Sequence, residues 1–74
     1  MSKSKPWKLA YVTPGGIYEE THRSRPALYR AADAERARVA EGLSRVTGMT
    51  AYRWEPDGNR WVRYERLPIT GGPR

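Results

Sequence analysis

The stretch RWEPDGNRWVRYER, residues 53 to 66, holds two of the chain's three tryptophans, and Trp61 stands among arginines rather than aliphatic residues. An indole flanked by guanidinium groups can stack an unpaired nucleobase while the cations neutralise its phosphate. The same residues can also serve the fold alone, with Trp61 sheltered under the stems of Arg53 and Arg63 or buried in a sheet-to-sheet homodimer. Which use applies depends on the face of the sheet that Trp61 occupies.

Other chemistry is scarce. One His and no Cys leave no His/Cys zinc cluster, and Glu19, Glu20, Asp33, Glu35 and Glu41 show no spacing typical of a carboxylate metal site. Gly15-Gly16 is followed by Ile-Tyr rather than Lys-Ser/Thr and a helix, so it reads as a turn and not as a phosphate loop. His22 beside Glu19 and Glu20 is the one pairing suited to acid/base work, and no third group is present to orient it. The expectation is a protein that is not an enzyme, with no catalytic residues, metal or cofactor.

The chain's size limits what can hold these residues in place. Seventy-four residues suit a single domain with a thin core, burying about 60% of the surface its unfolded chain exposes. With no Phe and few aliphatic residues, Trp and Tyr must supply much of the buried area. The lack of cysteine fits a reducing compartment, and no apolar run suits a spanning helix or a signal-peptide core, so a cytoplasmic, non-membrane protein is expected. A formal charge of +6 favours an anionic partner.

Strand-like runs WKLAYVT and IYEETHR flank Pro14-Gly15-Gly16, and TAYRWE and NRWVRYERL flank Pro56-Asp57-Gly58. Both connections suit a three-residue loop, a type I turn closed by a left-handed Gly. In the second hairpin that register pairs Arg53 with Trp61 and Tyr52 with Val62. One face is then Tyr52, Trp54, Val62 and Tyr64, and the other Ala51, Arg53, Trp61, Arg63 and Glu65. Opposing Tyr52 to Arg63 instead would mix apolar and charged residues on both faces, which a half-buried sheet disfavours. In the first hairpin the same loop turns Trp7, Leu9, Tyr11 and Ile17 inward and Lys8, Ala10, Val12, Tyr18, Glu20 and His22 outward.

Between the hairpins, Ser24 suits an N-cap with Pro26 in the first turn, and Gly48 suits the end of a helix of roughly 20 residues. Leu28, Ala32, Val39, Leu43 and Val46 form its apolar stripe, with Gly42 as a weak point. The fold class is therefore α+β, in the order β-β-α-β-β, two hairpins forming an antiparallel or mixed sheet with one helix on one face. The domain spans 7–67, between a flexible basic arm over 1–6 and a flexible tail over 68–74. On the uncovered face, Trp61, Arg53, Arg63, Lys8 and Tyr18 are the candidate binding residues. Glu20, Glu55 and Glu65 lie on or near that platform and would repel phosphate.

The Arg- and Ala-rich helix YRAADAERARVAEGL followed by a Trp/Tyr hairpin ending RWVRYERLP resembles small proteins of high-GC actinobacteria and their phages over residues 7 to 67. That resemblance implies no catalytic residues and favours an accessory protein that binds a host protein. Two partner classes follow: nucleic acid, single-stranded or RNA, read by the open face, or a host protein bound by that face or by an edge strand. A monomer is expected, with the sheet-mediated homodimer as its alternative.

Overall fold

The computed structural model describes residues 4–69. It is an α+β fold with strands β1 (Trp7–Thr13) and β2 (Gly16–His22), helix α1 (Arg25–Ala40), and strands β3 (Gly48–Glu55) and β4 (Arg60–Leu67). The strands form one open antiparallel sheet in the order β2-β1-β3-β4, and α1 carries the chain from edge strand β2 over β1 to β3. Loose ends were expected over 1–6 and 68–74. Residues 1–3 and 70–74 lie outside the described range, while the described ends are docked: the Pro6 carbonyl accepts a hydrogen bond from the Trp54 amide at 2.8 Å, Arg36 Nε donates to the Pro68 carbonyl, and Ile69 packs on the core.

The helix starts where the cap residue directs. Ser24 is extended, and its Oγ accepts from the Ala27 amide at 3.3 Å, with Pro26 in the first turn. It ends earlier than the apolar stripe suggested. Gly42 has φ +75°, its amide donates to the Val39 carbonyl, and the Leu43 amide donates to the Arg38 carbonyl, the paired bonds of a Schellman stop. The weak point in a presumed longer helix is thus its terminator, and Gly48 instead opens β3. Beyond the stop Leu43 is 64% exposed, while Val46 is buried from a segment that the Thr47 amide fastens to the Val12 carbonyl.

The core lies between α1 and one side of the sheet. Leu9, Met49, Ala51 and Leu67 from the strands meet Leu28 and Ala32 from the helix, with Val46 closing one end. Leu9 and Leu28 are fully buried, and no charged or polar residue among those described is buried with them. Because Leu9 faces the helix, alternation places Trp7, Tyr11, Met49, Ala51 and Leu67 on the helix side and Lys8, Ala10, Val12, Thr50 and Tyr52 on the open side.

Both hairpin registers differ from expectation by one residue. In the first, Thr13 pairs with Gly16 across a two-residue turn, Pro14-Gly15, and the Thr13 hydroxyl ties it by accepting from the Gly15 amide and donating to the Gly16 carbonyl. A one-residue shift inverts a strand. Tyr18, Glu20 and His22 therefore face the helix side and Ile17, Glu19 and Thr21 the open side. In the second hairpin the left-handed residue is Asn59, φ +52°, rather than Gly58, so Glu55 pairs with Arg60, Trp54 with Trp61 and Arg53 with Val62. A Cβ at Gly58 would stand 2.5 Å from Glu55 Oε1, which Arg60 Nε contacts at 3.1 Å, so a side chain there would displace the ends of that exposed ion pair.

Nearer the core the register shifts again, for Ala51 pairs with Glu65 while Tyr52 pairs with Arg63. Tyr64 is the extra residue of this bulge and turns to the helix side, where its ring meets Trp7 edge-on at 4.9 Å. The mixed pairing of Arg53 with Val62 is tolerated because α1 lies mainly over β1 and β2 and leaves the β3–β4 tip wet on both sides.

The helix stop can be tested by sign. An alanine inside a helix would stabilise it by about 1 kcal/mol relative to glycine. At a left-handed cap the same change costs about 1–2 kcal/mol. Gly42→Ala should therefore lower the urea midpoint; a raised midpoint would mean that the helix runs on through residue 42.

Candidate functional site

On the open side one lateral row crosses all four strands: Thr21 on β2, Lys8 on β1, Tyr52 on β3 and Arg63 on β4. The Trp54–Trp61 pair lies next to this row toward the tip, with ring centroids 5.3 Å apart and planes at 72°. Arg66 adds a second cation on β4, opposite Thr50. Pairing puts this group together: each partner lies directly across a strand boundary, so residues more than fifty positions apart share one surface.

Lys8 is the centre of the row. Its ammonium lies 4.7 Å from the Trp61 ring centroid, 5.2 Å from that of Tyr52 and 3.4 Å from Glu19 Oε2, and its side chain is 13% exposed. Trp61 is therefore half-buried, edge against Trp54 and face toward a lysine. The cation that shelters with it is Lys8, not Arg53 or Arg63. Such a pairing holds both the indole and the ammonium in place while leaving the cation close to the surface.

Three of the five expected binding residues, Trp61, Arg63 and Lys8, share the open face. Arg53 does not: two residues along β3 from buried Ala51 and opposite Trp7 on β1, it faces the helix side, where the Asn59 turn sets Val62 opposite it. Tyr18 does not either, since the two-residue first turn sets it opposite Tyr11, also on the helix side, where it is 60% exposed. Tyr52 and Trp54, expected inside, stand on the open face, joined by Thr21 and Arg66. A hint was present in the sequence, because Asn is several-fold enriched among the non-glycine residues that adopt a left-handed conformation.

The acidic residues separate from this surface. Glu20, Glu55 and Glu65 all face the helix side, opposite Leu9, Arg60 and Ala51 respectively. Glu19 is the carboxylate on the open-face strand positions among the described residues, and Lys8 holds it. On the helix side the carboxylates are bound by neighbours. Glu20 accepts from Tyr11 Oη at 3.1 Å and stands 3.1 Å from His22 Nε2, out of line for a hydrogen bond. Glu65 accepts from the Tyr29 hydroxyl, and Arg25 donates to Tyr64 Oη at 2.6 Å, which ties the first turns of α1 to the bulge.

Two hollows open near this region. The larger, about 310 Å³, is lined by Arg53, Arg63, Glu55 and Asp57 with Trp54 and Tyr64, so its charges balance. The smaller, about 230 Å³, is lined by Ser4, Lys5, Thr21 and Trp61. Among the described residues no group of three or more Asp, Glu or His side chains is placed to hold a metal ion, and no helix is long and apolar enough to cross a membrane. Comparison with known proteins finds no family model, curated protein or solved structure that matches this chain.

The phenols record the helix-side contacts. Burial, then the Glu20 carboxylate, drives the Tyr11 hydroxyl well above the ordinary phenol range. The hydrogen bond to Glu65 pushes Tyr29 up to about 12, although its hydroxyl end lies at the surface. A phenol whose pKa is higher in the folded state stabilises the fold below the unfolded value of about 10 and loses that contribution as pH rises beyond it. Stability should thus fall between pH 10 and 12, and Tyr29→Phe and Tyr11→Phe should each flatten the fall in urea midpoints measured across that range; an unchanged slope in both variants would refute these contacts. The Trp54–Trp61 contact has its own test. Single and double alanine variants should show a coupling of about 0.5–1.5 kcal/mol, and strict additivity would mean that the rings do not touch.

Proposed function

We propose that this chain is a non-enzymatic, basic binding module whose open sheet face engages single-stranded nucleic acid, RNA included. The observation that carries the reading is the segregation of side chains: Tyr52, Trp54 and Trp61 share one face with Lys8, Arg63 and Arg66, while the carboxylates Glu20, Glu55 and Glu65 face away and Glu19, on the open side, is paired with Lys8. Stacking on aromatic rings with cations along the backbone is how strands without base pairing are held. A four-stranded face, roughly 14 Å across at the usual strand spacing, is too broad for the about 12 Å major groove that admits a two-stranded ribbon. Unpaired strands fit it better. A cysteine-free chain needs no oxidising compartment, and we place the module in the cytoplasm as a monomer, because Arg63 and Arg66 would meet their own copies across a face-to-face two-fold axis.

A second reading, an accessory protein that binds a host protein, has one observation in its favour. The edge strand β2 runs without a bulge and leaves Ile17 and Tyr18 exposed, whereas β4 is blunted by its bulge and by Arg60, Arg63, Glu65 and Arg66. Strand addition would then occur along β2.

A salt series separates the two. With a labelled single-stranded decanucleotide, Trp61→Ala should weaken binding by about 1–3 kcal/mol at every salt concentration. Arg63→Ala and Arg66→Ala should each flatten the logarithmic salt slope by about 0.7. Arg53→Ala on the helix side and Arg38→Ala on the helix should change little. If those two controls cost as much as Arg63→Ala, the attraction is merely that of a +6 chain, and the protein-partner reading replaces this one.

A further inference from the structure

The smaller hollow is assembled from three separate parts of the chain. Ser4 and Lys5 precede β1 and are held beside the sheet by the Trp54 amide's bond to the Pro6 carbonyl; Thr21 reaches it from edge strand β2, and Trp61 from edge strand β4. Trp61 spans β3 to do so, as its contact with Lys8 on β1 shows. The lining thus consists of an indole, an ammonium and two hydroxyls, without a carboxylate. At about 230 Å³ it falls below the roughly 300–1,000 Å³ of sites for drug-sized molecules.

That set of groups has a specific chemical match. A planar ring can lie against the indole, hydroxyls both donate and accept and so suit the mixed edge of a nucleobase, and the ammonium suits a phosphate. The larger hollow lacks this bias, since Glu55 and Asp57 offset Arg53 and Arg63. We propose that the hollow bounded by Ser4, Lys5, Thr21 and Trp61 is a subsite for one unpaired nucleotide, its base against Trp61 with its edge toward Thr21 and Ser4 and its phosphate on Lys5. This rests on the reading of the open face as a single-strand surface and adds a base-sized site at its margin. The strand enters over Arg63 and Tyr52, passes Lys8, and inserts one base beside Thr21.

The probes are a uridine pentanucleotide and a pentamer of the same ribose-phosphate backbone without bases, titrated at low salt by tryptophan fluorescence. Wild-type protein should bind the pentanucleotide about tenfold more tightly than the abasic strand, within the usual contribution of one stacked base. Thr21→Leu fills the hollow and removes its hydroxyl from an exposed edge position; it should erase that preference, so that the two strands bind with equal affinity. Lys5→Ala should weaken both strands severalfold at low salt and converge with wild type as salt rises. Equal binding of the two strands by wild type, or a full preference retained in Thr21→Leu, overturns the subsite. If Arg63→Ala still weakens binding in that case, the open-face reading stands without it. If neither strand binds, or Arg63→Ala has no effect, the open-face reading fails too and a protein partner takes its place.

Discussion

The antiparallel pairing of β1 with β3 is the constraint on which the rest of this structure depends. Each hairpin alone would be marginal in water, having two strands and no second layer. Joined at their first strands, they set Leu9 opposite Ala51 and Tyr11 opposite Met49, a small apolar platform on which Leu28 and Ala32 seat the helix. The burial of Leu9 then determines the open face. Lys8 must point away from the helix because Leu9 points toward it, and the same alternation carries across the pairing to Tyr52 and then to Arg63. The surface that we read as functional is the reverse of the core, and its composition follows from core register rather than from any local motif.

Incomplete coverage is the second governing fact. A helix of sixteen residues is about 24 Å long at the standard rise, and it lies mainly over β1 and β2. The tip of the β3–β4 hairpin is therefore not divided into a dry side and a wet side, which removes the penalty against opposing Arg53 and Val62. Nearer the helix, where sidedness does matter, the bulge restores it. By turning Tyr64 and Glu65 to the same side, it supplies partners for Arg25 and Tyr29 and brings Leu67 back into the core. One inserted residue thus serves both the helix contact and the change of phase that brings Arg63 into line with Lys8.

Charge follows the same partition. Carboxylates on the helix side are held by Tyr11, Tyr29 and Arg60, while Lys8 draws Glu19 down onto the open face and keeps it occupied. Which carboxylates share a face with Lys8, Arg63 and Arg66 is thus a property of strand register.

Alternation in WKLAYVT and the second hairpin, paired Pro and Gly turns, and a Ser24 cap followed by Pro26 sufficed to establish four strands and one helix in their order, because each of these signals is local. Lys8, Trp61 and Arg63 do face the open side, but Trp61 and Arg63 reach it with Trp54 and Tyr52 as their partners, the register that alternation alone disfavoured. The helix end was not legible, since Gly42 and Gly48 both satisfy a local stop; only the docking of Val46 and the ladder from Thr47 to Val12 chose the first. The faces of Arg53 and Tyr18 were not legible either: Arg53 follows from the β1–β3 pairing that buries Ala51, a contact between distant segments, and Tyr18 hangs on the bounds of the Pro14-Gly15 turn. Local energies there differ little, whereas one residue of register moves every side chain to the opposite face. The hollow of Ser4, Lys5, Thr21 and Trp61 exists only once three distant segments are brought together, so the tertiary structure alone could decide it: cooperative burial of Leu9, Leu28 and Met49 selects among turns that the sequence leaves nearly equal.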